Sequence, residues 1–272
     1  MFEEDPRVSL RVLETRTGVS KSTVWRFLRQ ELHFFPYKLQ IGSRLSDPDM
    51  HARLQYAQNF LTKVENDGDY GSKIIYSDEC SFSLAGGVNK QNCRVWGTER
   101  PQEVYEVPQG AESVMVWCAI SEKGIIGPYF FENENVTGES YYKMLRYFFF
   151  PKIRDYPDDI IFQQDGSPPH FALRVRRYLD HKLQSRWIGR AGPTAWPPRS
   201  PDLTPCDFFL WGYVKDRVFR ELPTTISEMK AKIRDAISSI TEHTLKNVVK
   251  NTEFCIRFVI RQNGGHFENL LS

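Results

Sequence analysis

Five cysteines in 272 residues, with no C-x-x-C pair and no even count, leave neither a zinc-ribbon pattern nor a disulfide framework. Cys80, Cys93, Cys118, Cys206 and Cys255 read as reduced thiols. No apolar run approaches the roughly 18 residues that cross a bilayer. The opening MFEEDPRVSL is acidic where a secretory leader is basic and then apolar. These absences predict an intracellular protein with no membrane segment. Internal repeats and low-complexity tracts are also missing. Net charge is almost absent at +2, so composition alone selects no partner. What is present is 40% apolar and 14% aromatic residues with 26% charged, the make-up of a chain that folds around a core. The length suits one large domain with a small appendage.

The charge is unevenly placed. From Arg7 to Arg44 eight Lys or Arg face two acids, Glu14 and Glu31, which fits the electrostatic footprint of a nucleic-acid contact. Within that stretch SLRVLETRTGVSKSTVWRFLRQ predicts two short helices about Gly18. Leu10 and Leu13 give the first an apolar edge, and Val24, Phe27 and Leu28 the second. Ser20 is placed to cap the second helix. Glycine before Val-Ser, with an apolar residue six positions on, is similar to the helix-turn-helix signature, whose second helix enters the major groove. Lys21, Ser22, Thr23, Arg26 and Arg29 would then face double-stranded DNA. Glu14 occupies a position usually given to a small packed residue, so it is expected to point outward. With about eight residues ahead of it, the module reads as cut short at its start.

Three regions follow: 1–45 as a partial helix-turn-helix segment and linker, 46–70 as a connecting helix, and 71–272 as the larger domain. Phe34 to Ser46, with Pro36 and Gly42, reads as a basic connector. DPDMHARLQYAQNFLTKVEN predicts an amphipathic helix with Met50, Leu54, Ala57 and Leu61 on one stripe. KIIYSDECSFSL and CRVWG read as strands, and SVMVWCAIS with GIIGPYFF as a hairpin about Glu-Lys-Gly. A helix over GESYYKMLRYFFFPKI, the strand DIIFQQD, a helix over HFALRVRRYLDHKL and a short strand RWIG come next. A proline-rich turn then leads into the helix DFFLWGYVKDRVF, and helices at about 225–240 and 241–262 close the chain. Antiparallel strands followed by strand-helix alternation predict an α/β sheet with helices on both faces.

The acids carry the chemistry. Asp78 sits inside an apolar strand, a costly place for a charge unless something offsets it, and either a bound metal or a loop hydrogen bond would do so. Asp165 ends a strand just before a glycine turn, where ligands of α/β sheets collect. For a third position Asp202, in a turn or helix-cap setting, competes with Asp207 at the first turn of an aromatic helix. The fixed direction of that helix favours Asp207. Carboxylates suit Mg²⁺ or Mn²⁺, and two such ions can drive an in-line phosphoryl displacement. His170 is placed either to cap a helix or to relay a proton.

SDECSF, VNKQNCRVW, VMVWCAIS, QQDGSPPH, and RWIG followed by WPPRSPDLTPCDFFLWG together resemble the catalytic domain of mariner-like (Tc/mariner superfamily) DNA transposases. The likeness covers about residues 70 to 222 and, more weakly, the helix-turn-helix. It implies an RNase H-like (integrase/transposase) α/β domain behind a small all-α helix-turn-helix segment. It carries a catalytic, metal-holding triad over to Asp78, Asp165 and Asp207, with two Mg²⁺ or Mn²⁺ ions. The implied reaction hydrolyses a phosphodiester at a transposon end, and the freed 3′-hydroxyl then attacks target DNA. A homodimer acting in the nucleus on terminal repeats and target DNA is part of the same expectation. Arg44, Lys90, Arg94, Arg174, Arg176 and Arg177 are the candidate phosphate contacts. The 41 residues between Asp165 and Asp207 exceed the spacing of the best-known branch, which suggests a divergent lineage. Family members resemble one another in carrying two helix-turn-helix units, and the expectation here is that the first is absent and the second incomplete. The alternative readings are a transposon-derived DNA-binding protein without catalysis and an RNA or hybrid nuclease on the same fold.

Overall fold

The computed structural model describes residues 8–38, 44–86, 94–97, 111–132 and 135–267, with the backbone alone at 35–38 and 94–97. Contacts divide the chain into two compact units, 1–42 with 88–108 and 43–87 with 109–272.

In the first unit, α1 (Leu10–Thr17) and α2 (Lys21–Gln30) are joined through Gly18, whose φ of 70° is the left-handed value that favours glycine. Ser20 Oγ accepts from the Thr23 amide at 3.3 Å, the capping bond expected of it. Glu14 is neither buried nor idle: its Oε1 accepts from the Lys21 amide at 3.1 Å, so α1 helps to cap α2. Leu13 and Leu28 are buried, but Phe27 is 54% exposed, against expectation. Phe27 lies about 100° round the helix from Leu28, too far to share its contact with α1. The expected connector contains a strand, β1 (Phe35–Lys38), paired antiparallel with β3 (Arg94–Gly97).

The second unit begins with α3 (Asp47–Asn66), started by a capping box between Ser46 and Asp49. Its buried face is Arg53, Tyr56, Ala57 and Phe60, and Met50, Leu54 and Leu61 are only half-buried. An arginine displaces the expected leucines because its partners lie inside. Arg53 binds both carboxylate oxygens of Asp202, at 2.7 and 2.5 Å, and donates to Ser200 Oγ and the Gly264 carbonyl.

The sheet comprises β2 (Ile74–Ser83), β4 (Ser113–Ser121), β5 (Gly124–Phe130), β6 (Ile161–Gln163), β7 (Trp187–Gly189) and β8 (Thr194–Ala195), in the order β5-β4-β2-β6-β7-β8. β2 is antiparallel to β4 and parallel to β6, and β7 and β8 extend the parallel half. Strand periodicity then sorts the core. Ile74, Tyr76, Phe82, Val116, Cys118 and Ile120 pack on one side with α3 and with α8 (Trp211–Val218), α9 (Ile226–Ser238) and α10 (Glu242–Arg261). Ile75, Trp117, Ala119 and Phe162 pack on the other with α4 (Gly138–Met144) and α7 (Leu173–Leu183).

Two expected helices are subdivided. After α4 a π turn, Leu145–Phe149, leads into α5 (Phe150–Lys152), and α6 (Pro168–Phe171) precedes α7. β8 falls in what the sequence presents as a proline-rich turn, because two residues are too few to show a periodicity. The loop between β7 and β8 folds flat over Trp187. A side chain on Gly189 or Gly192 would meet that indole at 3.0 and 2.8 Å.

Candidate active site

Period-two geometry puts Asp78 on the same side of β2 as Tyr76 and Phe82, facing the layer that holds α8. There Trp211 Nε1 donates to Asp78 Oδ2 at 2.7 Å. The parallel register aligns Tyr76 with Gln163, so two residues further on Asp78 and Asp165 draw level. Asp165 lies just past the end of β6, in a turn whose Ser167 amide donates to its Oδ1 at 2.9 Å. Asp207 comes from the opposite direction, in a π turn over Cys206–Leu210 that runs into α8. All three carboxylates line one cleft of about 670 Å³, with Glu79 as a fourth and Arg190, Trp196, Arg199 and Thr204 in its walls.

Like charges in this setting repel. Burial, then the charges of Asp207, Glu79 and Asp165, push the Asp78 carboxyl well above the ordinary range, and the Trp211 bond only partly opposes them. Asp165 goes the other way. Burial works against its charge, but His170 and the Ser167 amide outweigh that and hold it below the usual value. His170 is 1% exposed, with its ring centroid 4.1 Å from that of Tyr141. Its Nε2 lies 3.1 Å from Glu79 Oε1. Its Nδ1 forms an ion pair with Asp165 Oδ1 at 2.6 Å, off the line of an ideal hydrogen bond. Burial would lower the imidazole's pKa, yet Glu79 and Asp165 raise it to about 10. The helix-cap reading of His170 gives way to a cationic brace between the strand that carries Asp78 and the turn that carries Asp165.

Asp202 lies in a turn, the 3₁₀ segment Pro201–Leu203, but its carboxylate is spent elsewhere. It lies 4% exposed in the ion pair with Arg53, committed to holding α3 against the segment before Asp207. The donor set of the cleft, hard carboxylate oxygens crowded until one resists ionisation, fits a divalent cation. Among the described residues no three ligand side chains yet stand close enough together to clasp an ion. Trp211 and His170 hold Asp78 and Asp165 on separate partners, so gathering them would take side-chain rotation.

The expected phosphate contacts are dispersed. Lys21, Ser22, Thr23 and Arg26 are exposed along the start of α2, and Arg29 places its guanidinium 5.9 Å from the Trp25 ring. Arg44 is exposed. Lys90 lies outside the described residues, and Arg94 is described only as a backbone position in β3. Arg174 pairs with Glu139 at 2.5 Å and sits over the Tyr142 ring. Arg176 donates to the Phe171 carbonyl, and Arg177 is exposed beside Tyr142 and Tyr178. Sequence reasoning missed Glu79, Trp211, Arg190 and the Arg53 pair. Only Glu79 carried a signal, its place beside Asp78 in SDE.

No protein-family model matches the chain. It is 29% identical over 257 residues to the Tc3 transposase of Caenorhabditis elegans, across 92% of this chain and 73% of that protein. It is 26% identical over 200 residues to the Tc1 transposase of the same organism, across 67% and 70%. Among solved structures, the Mos1 transposase paired-end complex with the left transposon end aligns with a TM-score of 0.70 at 17% identity, over 98% of this chain and 77% of that one. The Mos1 catalytic domain aligns at 0.63 and 16% identity, over 84% of this chain and all of that one, and Mos1 has been solved with Mg and with Mn. The mixed sheet with helices on both faces is thus the RNase H-like fold of the Mos1 catalytic domain, and along most of its length the chain is similar in sequence to the Tc3 and Tc1 transposases.

Proposed function

We propose that the chain is a Tc/mariner-like transposase, that the acidic cleft is its DNA-cutting and strand-joining centre, and that Asp78, Asp165 and Asp207 are the residues that hold its divalent cations, two Mg²⁺ or Mn²⁺. The observation that carries this is the opening of three carboxylates, from β2, the end of β6 and the turn before α8, into one cleft, where burial and the charges of the other acids disfavour ionisation of Asp78. Two such cations, when bound, activate the attacking oxygen and stabilise the leaving one. His170 keeps Asp165 anionic and therefore able to ligate. Trp211 fixes Asp78 Oδ2 from the helix that follows Asp207, which couples the first acid to the third. Arg190, in the wall of the cleft and 4.6 Å from the Phe171 ring, offers a guanidinium to the phosphate on either side of the cut. Solved complexes of Mos1 with transposon ends support double-stranded DNA as the substrate, with α2 contributing Lys21, Ser22, Thr23 and Arg26. A homodimer working in the nucleus completes the reading.

Nicking of a supercoiled plasmid in Mn²⁺ tests it. The wild-type chain is expected to nick, and Asp165→Asn and Asp207→Asn to abolish nicking while leaving DNA retention intact. Equal nicking by wild type and Asp165→Asn rejects the triad assignment. Absence of nicking by all of them, with DNA still retained, leaves a binding role without chemistry.

A further inference from the structure

Beyond the acidic cleft, and separated from it only by the shared wall of Trp196 and Pro197, lies a second groove of about 450 Å³ between α3 and the β8 segment. One face of α3 supplies Gln55, Asn59, Thr62 and Lys63, and Thr194 lies opposite. The two hollows differ in charge. Four carboxylates reach the first, and no acid lines the second. At its end Lys63 is half-buried, with Nζ 2.8 Å from Thr194 Oγ1, 3.3 Å from Tyr70 Oη and 5.2 Å from the centre of the Tyr70 ring. Among the described residues no carboxylate pairs with it, whereas nearby Lys73 is held by both Asp67 and Asp159. A partly desolvated ammonium left on neutral oxygens is costly unless an anion approaches it. Beside the apolar Ala52, Pro193, Ala195, Trp196 and Pro197, the other polar groups of the lining are amides and hydroxyls, which donate to phosphate oxygens without reading sequence.

We propose that this groove carries the phosphate backbone of the DNA strand leaving the acidic cleft, with Lys63 as its charged contact and Asn59 and Thr194 as neutral ones. The proposal rests on the reading of the cleft as a DNA-cutting centre, and extends it by giving the strand a direction: past Trp196 and along α3. A polymer threaded through a cleft of fixed carboxylates must continue over some surface, and this adjoining groove is free of like charge among the described residues.

The test is the salt dependence of binding to a blunt duplex oligonucleotide, followed by fluorescence anisotropy in Mg²⁺ with every protein in an Asp165→Asn background. Removing one phosphate contact is expected to flatten the slope of log K against log salt by about 0.9 and to weaken binding roughly tenfold at low salt. Lys63→Gln should do both, Lys63→Arg should restore both, and Lys246→Gln, on an exposed ion pair of α10, should do neither. If Lys63→Gln misfolds, Asn59→Asp, at an exposed position, serves instead and is expected to weaken binding through repulsion. An unchanged slope and affinity in a folded Lys63→Gln protein overturns the groove and leaves the cleft standing. Failure of the starting protein to bind the duplex at low salt overturns the DNA reading itself.

Discussion

Asp202 and Asp207 lie five positions apart and look interchangeable as sequence, yet the structure gives them opposite energetic roles. Asp202→Asn leaves the Arg53 guanidinium, 0% exposed, facing an amide. Breaking one side of a buried ion pair costs about 3–5 kcal/mol, because the surviving charge stays uncompensated. Ser200 Oγ and the Gly264 carbonyl still accept from Arg53, which places the cost near the lower bound, about 3 kcal/mol. For a domain of this size that corresponds to a fall in melting temperature of roughly 6–12 °C. Asp207→Asn should behave differently. It removes a charge that opposes ionisation of Asp78, so the stability change should stay within about 1 kcal/mol. Urea denaturation of the two variants in EDTA, followed by tryptophan fluorescence, measures both. The double substitution Arg53→Met with Asp202→Leu, which removes both charges, should recover most of the loss. An Asp202→Asn protein as stable as wild type, or an Asp207→Asn protein equally weakened, would show that the two acids have been assigned the wrong way round.

In metal-free protein His170 links stability to alkaline pH: its value of about 10 in the fold lies above the ordinary 6.5, so its contribution is complete below pH 6.5 and lost as pH climbs through 10. A denaturation series across that window should show the decline, and His170→Gln should flatten it. Saturating Mn²⁺ should raise the melting temperature by relieving carboxylate repulsion, with about 2.7 kcal/mol gained at one hundred times the dissociation constant. Asp78→Asn should remove most of that gain, and a wild-type melting curve indifferent to Mn²⁺ would count against cation binding in the cleft. Gly264→Ala should cost roughly 3 kcal/mol in a urea titration, since φ is +87° and the added methyl would collide with the Met50 carbonyl oxygen.

Much of this architecture could be read from the residues because its signals are local. Apolar runs in KIIYSDECSFSL and SVMVWCAIS marked β2 and β4, and the break after IIFQQ marked the end of β6. The features that escaped depend on partners remote in sequence. Nothing near Arg53 announces that an aspartate 149 positions away will draw it inside. His170 looked like a helix cap because Glu79, which makes it a brace, sits 91 residues earlier. Asp78 read correctly as an expensive strand residue, but the indole that orients it comes from α8. Phe27 was misplaced for a simpler reason: apolar spacing suggests a helix face, and only the neighbouring helix decides how wide that face is.

The stretch between the second and third acids bears on how such a chain can diverge. β7 and β8 run parallel with only Arg190 to Pro193 between them, and Gly192 and Trp196 both donate their amides to the Gly189 carbonyl. The excursion therefore closes on itself, leaving its start and finish side by side at the border of the sheet. A loop tethered in this way can lengthen or shrink by several residues over evolutionary time without shifting the helix beyond it. Counting positions between acids is for that reason a poor yardstick of kinship, and the span preserved in space is the better one.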